Sequence, residues 1–145
     1  MDLMVWNDLD IYLCPDGRFD MYEMAASLNR ILRPVYFDGI VRPEENRLFY
    51  GAELVFMGEW WNVDIWVKDE AQVRESLTFC EKIKRQTEKD PQSRRAIIEI
   101  KKALIASKLY GFDKKARHYH SQEIYSAVLD EGIRSAEEFL KKHPV

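Results

Sequence analysis

Seven residues near the start, Asn7-Asp8-Leu9-Asp10-Ile11-Tyr12-Leu13, do most to limit what this chain can fold into. They alternate polar and apolar with a period of 2, the pattern of a half-buried β-strand. Leu9, Ile11 and Leu13 take one face; Asp8, Asp10 and Tyr12 take the other. The two carboxylates then lie about 7 Å apart along an element that disfavours aspartate. Their repulsion is about 2 kcal/mol at an effective dielectric of about 20. A divalent cation turns that cost into a gain, because Mg²⁺ takes hard carboxylate oxygens. An Asp-x-Asp pair on the wet face of an edge strand also occurs without any metal, so a second segment is needed to decide between the two readings.

That segment is Trp60-Trp61-Asn62-Val63-Asp64-Ile65-Trp66-Val67-Lys68. It alternates in the same way, with Val63, Ile65 and Val67 on one face and Asn62, Asp64 and Trp66 on the other. Neighbouring strands lie about 4.8 Å apart. If the two segments pair with their apolar faces aligned, Asp64 joins Asp8 and Asp10 in one acidic cluster. Three carboxylates on one sheet face suit a site for one or two Mg²⁺ ions in phosphoryl-type transfer.

The pattern resembles a known family. Asn-Asp-Leu-Asp-Ile-Tyr-Leu is similar to the Ser-Asp-Leu-Asp-Leu strand of the nucleotidyltransferase superfamily related to DNA polymerase β, and Val-Asp-Ile-Trp-Val to that family's later strand with the third carboxylate. The similarity covers about residues 5 to 70, the palm-like region. It implies that Asp8 and Asp10 ligate Mg²⁺ (or Mn²⁺), and that Asp64 completes the site and helps activate an attacking hydroxyl. Asp38, just after the first expected helix, is a rival third carboxylate. Asp64 ranks ahead because its strand alternates better. The implied substrate is a nucleoside triphosphate.

One departure counts against a direct transfer of function. The family carries a Gly-Ser pair about ten residues before its Asp-x-Asp, and that pair holds the nucleotide phosphates. Only seven residues precede Asp8 here, and none is Gly or Ser. Two expectations follow: a true start upstream of Met1, or a relative that no longer transfers nucleotides.

At 145 residues the chain is long enough for a real core, and a single domain is expected, with a palm over 1–70 and a helical region over 71–145. No apolar run approaches the roughly 18 residues of a membrane span. The acidic N-terminus lacks the basic start of a signal peptide. Cys14 and Cys80 form no close-spaced ligand motif, which fits free thiols in a reducing, cytoplasmic setting. The net charge of −3 hides an asymmetry: residues 82–117 hold twelve Lys/Arg against four Asp/Glu, a local +8, and leave −11 elsewhere. A basic helical region beside an acidic palm suits a metal–triphosphate or a polynucleotide, whereas solvated helix faces explain the same charges without any ligand.

The expected fold class is α+β, a small mixed or antiparallel sheet with one packed helix followed by a helical half. Asp20 with Glu23 opens the first helix, whose apolar stripe is Met21, Met24, Ala25, Leu28, Ile31 and Leu32. Strands are expected at 35–40 and 48–57, with Gly58-Glu59 turning into the Asp64 strand. Helices are expected at 69–88, 92–110 with Gly111 as cap, 121–130, and from Ser135 onward. Among Trp60, Trp61 and Trp66, Trp66 is the candidate for stacking a nucleobase because it shares a face with Asp64; core packing is the reading for at least two of the three. His118 and His120 suit packing or surface roles, since no further ligand is close in sequence. Three functions follow: a Mg-dependent nucleotidyltransferase with an unidentified acceptor, an inactive relative acting as a binding partner in the manner of an antitoxin, or a nucleic-acid-binding module using the basic helices.

Overall fold

The computed structural model describes residues 3–42, 47–111 and 118–144. Among these, four strands and five helices run in the order β1 (Asp8–Leu13), α1 (Met21–Leu32), β2 (Tyr36–Arg42), β3 (Arg47–Phe56), β4 (Glu59–Val67), α2 (Glu70–Lys89), α3 (Pro91–Ala106), α4 (Ser121–Leu129) and α5 (Ala136–Lys142). The class is α+β. The chain divides into two compact units, Trp6–Leu77 and Met1–Val5 with Thr78–Val145, so the division falls within α2.

In the first unit the sheet order is β1-β4-β3-β2, with β1 and β2 at the edges. β1 pairs with β4 in parallel, and β4–β3 and β3–β2 pair antiparallel. The β3–β4 connection is the two-residue turn Met57-Gly58, one position earlier than the sequence suggests, since Phe56 and Glu59 already pair. Both turn residues have positive φ, 53° and 85°, as a type I′ hairpin requires. A two-residue turn fixes every cross-strand partner that follows it.

The odd-numbered side chains of β4 face α1. Val63 and Ile65 are buried with Tyr50, Ala52 and Leu54 of β3 and with Met21 and Ala25 of α1; Met24, Leu28 and Leu32 close the edges. Asp20 caps α1, its Oδ1 accepting from the Tyr22 and Glu23 amides at 2.8 and 3.1 Å. Ile31 departs from the expected stripe and is 72% exposed. The helix is in its last turn there, and Leu32 makes the core contact instead.

The helical unit has its own core of Ile83, Ile97, Ile100, Leu104, Ile124, Val128, Ile133 and Phe139. Each such side chain taken from water is worth about 1.5–3 kcal/mol. Leu3 joins this core, and the buried Lys101 donates to the Leu3 carbonyl at 3.2 Å and to the Tyr125 hydroxyl at 2.9 Å. Asp90 caps α3, with Pro91 at the first helical position where its missing N–H costs nothing.

α3 ends at Ala106, four residues before the expected stop. Lys108 takes the left-handed conformation at φ 55°, and the Leu109 amide returns to the Leu104 carbonyl at 2.8 Å. This is a Schellman end, and it turns Leu109 back onto the core. Tyr110 thus lies outside the helix and pairs with Tyr119 in a short bridge. α5 opens on Ser135, whose Oγ accepts from the Glu138 amide at 3.2 Å. No helix of the described residues is long and apolar enough to cross a membrane.

Candidate active site

The face of the sheet opposite α1 carries the sequence-derived acidic residues. Alternation puts Asp8, Asp10 and Tyr12 of β1 on it, and the parallel register sets Asp8 beside Asn62, Asp10 beside Asp64 and Tyr12 beside Trp66. Asp10 and Asp64 are therefore direct partners across neighbouring strands, about 4.8 Å apart at Cα. Asp8 lies one same-face step away, and its Oδ1 accepts a 2.8 Å hydrogen bond from the Asn62 side-chain amide. Asn62 itself is fixed by its backbone N–H, which donates to the Asn7 carbonyl at 2.9 Å. The Asn7 side chain donates to the Trp60 carbonyl at 3.0 Å.

The hairpin register adds a residue that sequence reading missed. Glu53 of β3 pairs with Asn62 and so shares the acidic face. Counting back through a two-residue turn at Met57-Gly58 would have found it. Beside Asp64, β3 presents Gly51, whose own β2 partner is Gly39, so no side chain rises next to Asp64 on that side. Asp38 belongs to β2, which β3 separates from β4; its side chain lies outside the described residues.

Toward the other end of this face Trp66 packs its ring on Phe49, centroids 4.4 Å apart at 50°. Phe49 is buried. The Lys68 ammonium sits 4.1 Å from the centre of the Tyr12 ring and donates to Ser76 Oγ at 2.7 Å. Trp61 packs with the core on the α1 side, while Trp60 remains 56% exposed.

Among the described residues no three His, Cys, Asp or Glu side chains converge on a point that could hold a metal ion. The donor chemistry that is present is a facing pair of carboxylates with a third carboxylate, hydrogen-bonded to an amide, alongside. Such a pair fits Mg²⁺, which commonly takes one or two protein carboxylates and completes its shell with water and substrate phosphates. His118 and His120 belong to the other unit, where the His120 backbone N–H donates to the Glu123 carboxylate at 2.9 Å as part of the α4 start. The basic residues Lys114, Lys115 and Arg117 lie outside the described residues. Comparison of the chain with protein-family models, with curated proteins and with solved structures gave no match.

Proposed function

We propose that this protein is a nucleotidyltransferase-like domain that binds a nucleoside triphosphate with Mg²⁺ (or Mn²⁺) on the acidic face of its sheet. The observation that supports the reading is the parallel register that sets Asp10 opposite Asp64 with Asp8 one step along. Carboxylate oxygens grouped in this way on one sheet face are the hard donors that Mg²⁺ takes, which supports the reading.

In the reaction proposed, an acceptor hydroxyl attacks the α-phosphorus, an O–P bond forms, the bond to the β-phosphate oxygen breaks and pyrophosphate leaves. Asp64 receives the hydroxyl proton, Asp10 faces it as the second carboxylate, and Asn62 holds the Asp8 carboxylate in one rotamer. The metal, when bound, supplies positive charge to the phosphate oxygens.

Calorimetry with Mg²⁺ and each of the common nucleoside triphosphates tests this. Saturable binding that disappears in the Asp8→Ala/Asp10→Ala double variant supports it. Silence with every triphosphate refutes it and favours a non-catalytic binding partner.

The nucleic-acid reading rests on the excess of Lys and Arg over residues 82–117. Several of those cations already face carboxylates one helical turn away, as in Arg85–Glu81 at 3.2 Å and Arg95–Glu99 at 2.8 Å. Salt-dependent binding to DNA or RNA that survives the double substitution would favour it.

A further inference from the structure

We infer that Trp60, and not Trp66, is the platform on which the base of the bound nucleoside triphosphate stacks. The inference rests on the nucleotide reading of the acidic face and names a specificity-determining contact within it.

Alternation along β4 puts Trp60 on the same face as Asn62, Asp64 and Trp66. Four residues separate Trp60 from Asp64, about 13 Å along the strand. A nucleoside triphosphate laid along the strand, with phosphates at Asp10 and Asp64 and base at Trp60, would bridge that span. The two tryptophans differ in what already occupies them. Trp66 packs against the buried Phe49 ring. Trp60 is 56% exposed, and its cross-strand partner Val55 on the same face is 50% exposed. The two make an exposed apolar step beside Asn62 and Glu53 on the same face, and an exposed indole offers a planar ring a face to stack on. The backbone beneath it is pinned by the hydrogen bond from Asn7 to the Trp60 carbonyl, so the platform is held in register with Asp8. Planar rings stack on an indole whatever their sequence identity, which predicts tolerance among bases rather than strict selection.

The test compares two probes, ATP and inorganic tripolyphosphate, each with Mg²⁺, on wild type, Trp60→Ala and Trp66→Ala by calorimetry. Trp60→Ala should weaken ATP binding about fivefold or more while leaving tripolyphosphate affinity unchanged. GTP and UTP should lose a similar factor. Trp60→Phe, which keeps a ring, should recover part of the loss. Because Trp60 is exposed, the Ala variant should keep the wild-type circular dichroism spectrum, which checks that the loss is not unfolding. ATP affinity equal to wild type in Trp60→Ala overturns the inference, as does an equal loss for both probes or a loss confined to Trp66→Ala. Wild type that binds neither probe refutes instead the nucleotide reading on which the inference stands.

Discussion

Replacing Asp64 by Asn should make the metal-free protein more stable and the Mg²⁺-loaded protein less stable than wild type. Asp10 and Asp64 are register partners in parallel strands, so their carboxylates are separated by roughly the strand spacing, about 4.8 Å. Coulomb's law gives a repulsion of about 0.9 kcal/mol at the dielectric of water and about 3.5 kcal/mol at an effective dielectric of 20. Asp10 lies on an exposed stretch of an edge strand, so the value near water applies, about 1 kcal/mol. Asn keeps the shape and removes the charge. In EDTA the variant should therefore unfold a few degrees higher than wild type, and added NaCl should shrink the difference by screening. Mg²⁺ should reverse the order, because only wild type then gains binding energy, about 2.7 kcal/mol at a hundredfold excess over its dissociation constant. Thermal unfolding in EDTA and across a Mg²⁺ titration measures both effects. If Asp64→Asn is the less stable protein in EDTA, other contacts of Asp64 outweigh the repulsion and the reasoning from the register fails. If Mg²⁺ raises both midpoints equally, the pair is not where the metal binds.

Three further outcomes follow from the coordinates. Tyr125→Phe removes the hydroxyl that accepts from the buried Lys101 ammonium and should cost about 1–3 kcal/mol in urea denaturation; a neutral result would mean that this hydroxyl is not a needed partner. Lys108→Gly should stabilise by about 1 kcal/mol, because Lys108 carries a side chain at φ 55° where Gly pays no steric penalty; a lower unfolding midpoint would contradict the Schellman geometry. Asp90 should contribute to acid sensitivity. The hydrogen bond from Ser93 Oγ, aided by the Ser93 and Gln92 amides and by Arg134, holds its carboxyl below the usual range. A lowered folded value means that the stabilisation is present above the unfolded value of about 3.9 and is lost as pH falls through the folded one. Asp90→Asn should therefore unfold over a shallower acid transition, followed by far-UV circular dichroism, and an unchanged curve would show that Asp90 is not a main contributor.

Which parts of this fold were readable depended on the range of the forces that set them. Asp20 and Ser135 each cap a helix through a hydrogen bond to an amide two or three residues on, so their chemistry is complete within one short segment. The end of α3 was not readable in that way. Gly111 is the better intrinsic cap, but Leu109 has a core to pack on, and that contact forces the turn at Lys108 three residues earlier. Ile31 looks like Ala25 and Leu28 by spacing, yet it is exposed. A helical stripe says which residues share a side, and the extent of the partner surface says how many of them are covered.

The amino-acid order alone determined that Asp8 and Asp10 share one side of a strand and that Asn62, Asp64 and Trp66 share one side of another, because pleating sends every second side chain the same way. It could not determine that these two strands are neighbours, nor their direction or register. Those are set by contacts between residues far apart in the chain: β1 pairs along the edge of β4, and Ile11 and Leu13 pack with Val63 and Ile65 against α1. The tertiary structure decided that Asp64 stands across from Asp10 while Asp8 is held by Asn62, and that Trp66 lies against Phe49 while Trp60 stays 56% exposed.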